Sequence, residues 1–401
     1  MRESVKDKAA IVGAGCARFG ERWDANTDEL IHEAVDEALE DAGVELKDIQ
    51  AVWLGTVACQ GGVSGIVFSQ AYSSNFIPVT RVENLCGSGQ ESMRGASLAI
   101  ASKAYDLVLA VGVEKHKDTG FPGLGTVMAG RWEPVMGFGG TAPARYAMAA
   151  TAYFAKYGLT PEEGKGILAE ISVKSHHYGK LNPRSHLRRE VTVEQVLNAP
   201  MIAWPLGLFD CCGVTDGSAA CVMVPTEEAK HYRDDYVTVK GFGLGTSPGW
   251  FKEREDYDFS WWPATEAAAR LAYEEAGIKN PREELDLAEI HDCFSIAELI
   301  ASESLFLCEK GKYKEQFNEA RAYYHDGEMP VNISGGLKSF GHPVGASGVR
   351  DAYEIYKQIQ GKAEMPERQI TRKKPRLGLT HNQGGHPGRF ICGIAIIGAP
   401  D

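Results

Sequence analysis

Two cysteines, two histidines and a glycine lie in short segments whose composition suits nucleophilic and acid/base chemistry. Cys86 lies in the run Asn-Leu-Cys-Gly-Ser, and His291 and Cys293 lie together in His-Asp-Cys-Phe. His342 follows a glycine and precedes a proline, and Gly384 closes the run Leu-Thr-His-Asn-Gln-Gly. This set is suited to making or breaking a carbon–carbon bond next to a thioester. One thiol would accept an acyl group, a base would lie beside it, and the second thiol would exchange a proton.

The surroundings of Cys86 predict a reactive thiol. An extended polar stretch ends here, and a helical pattern of small residues begins directly afterwards, at Ser88. The N–H groups and the positive end of the helix dipole favour the thiolate, so we expect a lowered pKa for Cys86. The nearby Gly87 and Gly89 would let a thioester approach the sulfur closely. Considered alone, however, a small residue packed at a strand-to-helix turn is the simpler interpretation.

The other residues would complete an acyl-transfer site. His342 would remove the proton of Cys86, and Cys293 would exchange a proton on the carbon alpha to a thioester. His291 would donate a hydrogen bond to the enolate that forms. The backbone N–H groups of Cys86 and Gly384 would bind the tetrahedral intermediate. Taken singly, His291 could be a strand-end histidine and Cys293 a core residue, whereas a histidine between glycine and proline is harder to explain by packing.

These segments fall at corresponding positions of a duplicated sequence. A buried strand containing Gly13, followed by an amphipathic helix that stops at Gly43, is repeated by a strand containing Gly241 and a helix that stops at Gly277. Further pairs are the strands 51–56 and 287–292, the Cys86 turn and residues 341–348, and the strands 107–112 and 377–382. Alternating strands and helices indicate an α/β sheet whose strand ends gather on one face. The duplication therefore predicts that the segments meet.

The same pattern divides the chain into two halves, 1–230 and 231–401. An insertion at about 115–205 has no counterpart in the second half. Its glycine-rich loops and its predicted helices, near 142–157 and after Thr160, favour a lid or a binding lobe.

Composition excludes several classes of function. The chain has 401 residues and a formal charge of −12, which disfavours binding to nucleic acid or to an anionic membrane. Its nine cysteines include no Cys-X-X-Cys pair, so we expect no zinc ribbon and no metal site. We recognise neither a secretory leader nor an apolar run of membrane-spanning length, and we expect a cytoplasmic protein.

In these residues the sequence resembles the thiolases, specifically the sterol-carrier-protein-2 (SCP2)-type branch with its bacterial and archaeal relatives, over essentially the whole chain. The Cys-Gly-Ser run at Cys86 is similar to the family's Cys-X-Ser motif, residues 291–294 to its His-Asp-Cys-Phe block and residues 341–343 to its Gly-His-Pro motif. Most thiolases have a second catalytic cysteine in a C-terminal Cys-X-Gly motif, where this sequence has Asn382. In the His-Asp-Cys-Phe branch that role is attributed to the cysteine of the block, here Cys293.

The resemblance implies a thiolase fold, an α/β fold of duplicated βαβαβαββ halves in five α-β-α-β-α layers with an inserted loop domain. It implies CoA-dependent thiolytic cleavage of a 3-oxoacyl-CoA, or the reverse Claisen condensation, through an acyl-Cys86 intermediate. Coenzyme A would be a cosubstrate without any permanently bound cofactor, and the core would be a homodimer. Two alternatives stay open: a subunit that acts only with a small zinc-ribbon/OB-type partner, and a thiolase-like retro-aldolase or lipid-binding protein. Retro-aldolase relatives are expected to lack the reactive cysteine that this chain keeps.

The sequence says least about substrate contacts. The best candidate group for the CoA phosphates is a set of basic residues in the inserted lobe: Arg184, His186, Arg188 and Arg189. Three tryptophans could line an acyl pocket or a partner interface, or pack in the core: Trp250, Trp261 and Trp262. The strand 105–114 is expected at a sheet edge, where it could pair across a two-fold axis.

Overall fold

The computed structural model describes residues 4–57, 62–73, 76–119, 141–248 and 257–400. Its strands are β1 (Ala9–Cys16), β2 (Ala51–Gly55), β3 (Val79–Val82), β4 (Val108–Glu114), β5 (Met201–Ala203), β6 (Leu206–Gly207), β7 (Gly217–Pro225), β8 (Val237–Thr246), β9 (Leu287–Ile290), β10 (Leu377–His386) and β11 (Arg389–Gly398). Its α-helices are α1 (Thr27–Ala42), α2 (Ile66–Tyr72), α3 (Ser88–Ala101), α4 (Ala142–Lys156), α5 (Pro161–Leu181), α6 (Val193–Leu197), α7 (Pro263–Ala276), α8 (Pro281–Glu284), α9 (Ser295–Ser304) and α10 (Ser347–Gln360). None of these described helices has the length and apolar character needed to cross a membrane.

One mixed sheet of nine strands runs through both halves, in the order β3-β2-β4-β7-β1-β8-β11-β10-β9. β2 pairs in parallel with β3 and β4, and β9 in parallel with β10, whereas the other neighbours are antiparallel. The order β2-β4-β7-β1 on one side is mirrored by β9-β10-β11-β8 on the other, and the two meet where β1 pairs with β8. The duplication that the sequence predicts is therefore present, with its halves joined inside the sheet.

Helices cover the two halves of the sheet and fill the space between them. α1 packs on β1 and β7, and α7 packs on β8 and β11. Glycines make this approach possible: a Cβ added at Gly13 would strike the backbone of Ala38 in α1, and at Gly241 it would lie 2.8 Å from the Ala272 carbonyl oxygen in α7. α3 and α10 pack on each other and contact strands of both halves. The layers therefore follow the expected order of helix, sheet, paired helices, sheet and helix, in which the two sheet layers are the two halves of the nine-stranded sheet.

Helix α1 shows how local sequence sets the boundaries of these elements. Asn26 accepts the N–H of Glu29 at 2.9 Å, and the Glu29 carboxylate accepts the N–H of Asn26 at 2.7 Å. This capping box sets the start of α1 at Thr27. Gly43 ends α1 with a φ of 71° and Gly277 ends α7 with a φ of 82°, a left-handed conformation that glycine adopts easily. The same signal thus closes the equivalent helix in both halves.

The inserted lobe is helical where the structure describes it. α4 begins after Thr141, whose hydroxyl accepts the N–H of Ala144, and α5 begins at a capping box of Thr160 and Glu163. Both helices lie where the sequence predicts them, and the glycine-rich loop 120–140 lies outside the described residues. α4 contacts α9 and β10, while α5 contacts α9 and the segment that precedes His342. The lobe therefore contacts the segments that contain or adjoin the candidate residues.

One expectation about the sheet is wrong. The strand in 105–114 does not lie at an edge, because β4 is hydrogen-bonded between β2 and β7 and is buried along its whole length. The edge of this half is β3, whose residues are partly exposed. The nearly continuous apolar sequence of β4 suits a central position, since a strand buried on both faces shows no alternation.

Candidate active site

Cys86 lies in a tight turn between β3 and α3. The N–H of Gly87 donates to the Asn84 carbonyl at 2.9 Å, and Leu85 has a φ of 52°, which is strained for a residue other than glycine. Ser88, the first residue of α3, holds this turn. Its hydroxyl donates to the Leu85 carbonyl at 2.6 Å and accepts from the Asn84 N–H at 2.9 Å. The thiol is thereby presented at the start of the helix, where the sequence predicts it.

His342 lies in the corresponding turn before α10, where its imidazole is held in one tautomer. The Ser347 hydroxyl donates to the Pro343 carbonyl at 3.0 Å, so it accepts the proton of His342 Nδ1, 2.8 Å away. Nε2 is then the unprotonated nitrogen, and it is buried without a hydrogen-bond partner among the described residues. A general base requires such a free lone pair.

Candidates from the two halves meet in one site. His291 follows the last residue of β9, and its ring centroid lies 5.0 Å from that of His342 with the ring planes nearly perpendicular. Cys86 Sγ and one ring nitrogen of each histidine lie within 4.8 Å of one another. Cys293 is buried beside them, near enough for a charge on Cys86 to raise its pKa. The predicted convergence of these segments is thus present in the fold.

The thiol of Cys86 is not the acidic group that its position before a helix predicts. Protein atoms surround the sulfur although the residue keeps some exposed surface, and this burial, with the carboxylate of Glu114, raises the pKa of Cys86 to about 12. Its backbone N–H acts in the opposite direction but is outweighed. Burial, with His116 and Arg350 nearby, lowers the pKa of His342 to about 3. At neutral pH the pair is therefore a neutral thiol beside a neutral imidazole.

The end of β10 approaches the Cys86 turn closely. A Cβ added at Gly384 would lie 3.1 Å from the Cys86 nitrogen and 2.6 Å from the Leu85 Cβ, so a larger residue would displace the turn. The two backbone groups predicted to bind an oxyanion, those of Cys86 and Gly384, are thus neighbours. Asn382 lies two residues earlier and donates to the Asp351 carboxylate at 2.9 Å, so this strand supplies an amide where a cysteine would stand in most thiolases.

Buried polar residues outside the predicted site set support these groups. Asp292 accepts from the backbone N–H of Leu337 at 2.5 Å and from the Ser175 hydroxyl at 3.5 Å, which fastens the end of β9 to the loop that precedes His342. Burial raises the pKa of Asp292 to about 7. His381 accepts from the His291 N–H at 3.3 Å. Position is a signal for Asp292, which lies between His291 and Cys293, whereas His381 lies within β10 and no local pattern marks it.

The four candidate CoA contacts differ in their exposure and in their ion pairs. Arg184 is engaged inside the protein, because its guanidinium pairs with the Glu37 carboxylate at 2.7 Å. His186 is half-buried. Arg188 and Arg189 are exposed, and neither forms an ion pair with another described residue. These two arginines remain candidates for the CoA phosphates.

The tryptophans divide between the core and the surface. Trp262 is fully buried, with its ring 5.3 Å from that of Phe390 and 6.2 Å from that of Tyr146, and it packs in the core. Trp261 is partly exposed, with the ammonium of Lys310 4.9 Å from its ring centroid. Trp250 lies outside the described residues. Core packing therefore accounts for Trp262.

Comparison with protein families identifies the duplicated unit. The model described as "Thiolase, N-terminal domain" matches residues 9–227, and the model described as "Thiolase C-terminal domain-like" matches residues 251–389. The chain belongs to the thiolase family. The first match includes Cys86, and the second includes His342.

Relatives of this thiolase align with most of its length. The acetyl-CoA acetyltransferase of Methanothermobacter thermautotrophicus is 38% identical over 390 residues, which cover 94% of this chain and 97% of the relative. The benzoylsuccinyl-CoA thiolase subunit BbsB of Thauera aromatica is 31% identical, with 95% and 96% covered. Sterol carrier protein 2 of Gallus gallus is 28% identical over 99% of this chain and 73% of its own length.

Solved structures share the fold of this thiolase. The Ltp2-ChsH2(DUF35) aldolase has a TM-score of 0.85 at 23% identity, with 99% of each chain covered. The monomeric SCP2-thiolase-like protein type 1 of Mycobacterium smegmatis has a TM-score of 0.74 at 19% identity, with 98% of this chain and 77% of the other covered. Similarity at these identities shows the α/β thiolase fold alone. The relatives in sequence establish a thiolase-type acyltransferase of the SCP2-type branch.

Proposed function

We propose that this thiolase catalyses CoA-dependent thiolytic cleavage of a 3-oxoacyl-CoA, or the reverse Claisen condensation, through an acyl group on Cys86. The observation that carries the proposal is the approach of Cys86 Sγ and a ring nitrogen of both His291 and His342 to within 4.8 Å. The relatives named for acetyl-CoA acetyltransferase and benzoylsuccinyl-CoA thiolase support it. Coenzyme A is a cosubstrate in this proposal, and no permanently bound cofactor takes part.

In the cleavage direction, the sulfur of Cys86 attacks the 3-oxo carbonyl carbon while the thiol proton passes to His342 Nε2. Because the pKa of the thiol is raised and that of the imidazole is lowered, this transfer accompanies the attack and does not precede it. The N–H groups of Cys86 and Gly384 stabilise the alkoxide that forms. Its collapse breaks the bond between C2 and C3, leaving acyl-Cys86 and a thioester enolate.

Cys293 then donates its proton to C2 of the enolate. Burial raises the pKa of Cys293 well above 9.0, so the thiol is protonated at rest, as a proton donor must be. Burial, with His342 nearby, holds the pKa of His291 well below 6.5, so His291 donates to the enolate oxygen as a neutral imidazole. The Cys293 thiolate takes the thiol proton of CoA, whose sulfur attacks the acyl group, and Cys86 leaves and recovers its proton from His342.

Trapping of the acyl-enzyme tests this mechanism directly. After incubation with acetoacetyl-CoA and acid quenching, mass spectrometry should find an acetyl group on the peptide that contains Cys86. Cys86→Ala should abolish both the adduct and turnover. Cys221→Ala is the matched control, because Cys221 is a fully buried cysteine in β7 of the same half, outside the site, and it should leave both intact. Turnover by Cys86→Ala would refute the mechanism.

A cleavage panel would then define the substrate. Acetoacetyl-CoA, a medium-chain 3-oxoacyl-CoA and an aryl 3-oxoacyl-CoA differ only in the acyl group that Cys86 receives. The ratio of their kcat/KM values reports how the site discriminates between them in the transition state. Equal values would indicate that the acyl chain extends into solvent.

A second candidate is a catalytic subunit that acts only with a small zinc-ribbon/OB-type partner. One relative is named as a subunit, and one similar structure is named Ltp2-ChsH2(DUF35). The specific observation in this chain is a set of apolar side chains, 45–57% exposed, in the last part of the inserted lobe and directly after it: Leu197, Met201, Ile202, Trp204 and Leu208. Soluble proteins rarely expose such groups together unless they bind a partner.

Co-purification distinguishes the two candidates. A tagged chain expressed in its own source should retain a small protein with Cys-X-X-Cys pairs, and Trp204→Ser should release it. Leu271→Ser is the control, because Leu271 is 45% exposed but lies on α7. Full activity of the isolated chain on the cleavage panel would instead support the first candidate.

The remaining parts of the proposal concern assembly and location. We propose a homodimer, with β3 rather than β4 as the strand available at the sheet edge. Sedimentation of the purified chain, compared with that of Thr80→Pro in β3, tests that assignment.

We also propose a cytoplasmic location, which the scattered cysteines without Cys-X-X-Cys pairs support.

A further inference from the structure

A series of buried polar groups runs from the backbone of His291 towards the thiol of Cys293. The His291 N–H donates to His381 Nδ1 at 3.3 Å, so the proton of His381 is on Nε2, which lies 3.4 Å from the Thr265 hydroxyl in α7. The Thr265 hydroxyl donates in turn to Gln383 Oε1 at 3.2 Å. All these groups donate in the same direction along the series.

The series ends at Tyr146 in α4. Gln383 Nε2 donates to the Tyr146 hydroxyl at 3.5 Å, and this hydroxyl lies close enough to the Cys293 thiol for each group to shift the pKa of the other. Because the oxygen of Tyr146 accepts from Gln383, its own proton remains for Cys293. The ring is 2% exposed and packs on Phe294 with a centroid separation of 4.5 Å and on Trp262 at 6.2 Å, so the hydroxyl is fixed in place.

We propose that Tyr146 is a positioning residue for the acid/base thiol: its hydroxyl donates to Cys293 Sγ, orients the sulfur and stabilises the thiolate that remains when Cys293 gives up its proton. The inference rests on the proposed function, in which Cys293 moves the proton at the alpha carbon. Tyr146 belongs to the inserted lobe and Cys293 to the C-terminal half. The lobe therefore contributes to the chemistry as well as to the walls of the site.

The groups that face Cys293 explain why such a donor is needed. In addition to burial, Cys212, Cys86 and Asp292 raise the pKa of Cys293, and Tyr146 is the neighbour that lowers it. Cys212 is held there because its N–H donates to the Cys293 carbonyl at 2.9 Å. A buried thiolate without a donor is costly. A hydrogen bond to a charged group is stronger than one to a neutral group, so Tyr146 acts most strongly when the thiolate appears.

The test separates proton exchange at the alpha carbon from acylation of Cys86. Tyr146→Phe keeps the ring and removes the hydroxyl. We expect exchange of the alpha protons of acetyl-CoA with deuterated water to slow about 10- to 100-fold, because one hydrogen bond to a charged group is lost. The pH at which exchange rises should move up by about 1 to 2 units. Acetyl transfer to Cys86, followed by mass spectrometry in a single turnover, should keep the wild-type rate.

Two further variants make the test specific. Tyr153→Phe is the matched control: Tyr153 lies two turns further along α4, is equally buried and binds Glu303 at 2.5 Å, so its loss should leave the exchange profile in place. Gln383→Met removes the donor to Tyr146 and should shift the profile in the same direction by a smaller amount. Combined with Tyr146→Phe, it should add no further shift.

The outcomes separate this inference from the proposed function. An unchanged exchange profile in Tyr146→Phe would overturn the inference, as would an equal loss in Tyr153→Phe. If Tyr146→Phe does not fold, the profile of Gln383→Met decides in its place, and an unshifted profile overturns the inference. A wild-type enzyme that neither acylates Cys86 nor exchanges the alpha protons would overturn the proposed function, and the role of Tyr146 with it.

Discussion

The two repeat-related turns, one before α3 and one before α10, share a scaffold and differ in chemistry. Each leads into a helix that begins with serine and glycine, Ser88-Gly89 in the first half and Ser347-Gly348 in the second. The helices approach at these glycines, since a Cβ added at Gly89 would lie 3.0 Å from the Gly348 nitrogen. This contact brings the starts of both helices, and hence both turns, to one point.

The equivalent serines have different partners. The Ser88 hydroxyl bonds to the backbone of Asn84 and Leu85 in its own turn, and so shapes the segment that presents Cys86. Ser347 also donates to a carbonyl of its turn but accepts from His342 Nδ1. One serine fixes the backbone of the nucleophile and the other fixes the tautomer of the base. The frame is symmetric, and the difference in function comes from one side chain in each turn.

The largest effect should come from breaking the helix contact itself. A Cβ at Gly348 would strike the Gln90 nitrogen and lie 2.6 Å from Asn382 Oδ1, so Gly348→Ala should lower the free energy of unfolding by about 3 kcal/mol or more. Gly166→Ala is the control, because a Cβ there meets nothing within 4 Å and alanine favours α5 by about 1 kcal/mol. Denaturant unfolding measures both. Equal unfolding midpoints for Gly348→Ala and the wild type would contradict the described contact.

Replacing each serine by alanine should separate their two roles. Ser347→Ala leaves His342 free to adopt either tautomer, and we expect the rate of Cys86 acylation to fall about 10- to 100-fold. Ser88→Ala leaves the partly buried Asn84 N–H without its acceptor, so we expect the main effect on stability, a loss of about 1–3 kcal/mol. Single-turnover acylation and denaturant unfolding measure the two effects. The same loss of acylation in both variants would remove the distinction between the turns.

The neutral resting pair predicts how Cys86 should respond to pH. With the pKa of its thiol raised to about 12 and that of His342 lowered to about 3, alkylation of Cys86 by iodoacetamide should rise roughly tenfold per pH unit from about pH 6 to about pH 10. His342→Gln should leave that slope unchanged, because the imidazole carries no charge at rest. A flat, fast rate near neutral pH that is lost in His342→Gln would instead indicate a thiolate–imidazolium pair.

Local sequence predicts the turns and helices that hold the site better than it predicts the electrostatic environment of the site. Gly43 and Gly277 stop equivalent helices, and this repetition, with the paired strands on either side of the turns, predicts equivalent turns for Cys86 and His342. The pKa of Cys86 could not be predicted in the same way, because the helix start lowers it whereas burial and Glu114, from a distant strand, raise it more. For the same reason no local pattern distinguishes Tyr146 from the other tyrosines of the lobe.

The two turns also differ in what lies beside them. The His186 N–H donates to the Phe340 carbonyl at 2.8 Å, so this part of the inserted lobe runs alongside the residues that lead into the His342 turn. Arg188 and Arg189 follow directly and are exposed. We therefore expect the CoA phosphates to bind beside the His342 turn rather than beside the Cys86 turn.

The smallest predicted effect tests that asymmetry. Arg188→Gln and Arg189→Gln should each raise the KM for a CoA substrate about three- to fivefold, since an exposed charge pair contributes little, and should leave kcat unchanged. The rise should shrink at high salt, which screens exposed charges. Lys230→Gln is the control, an exposed cation in the segment between the halves. If all three variants show the same KM as the wild type, the phosphates bind elsewhere. The two turns would then differ in chemistry but not in the side from which CoA enters.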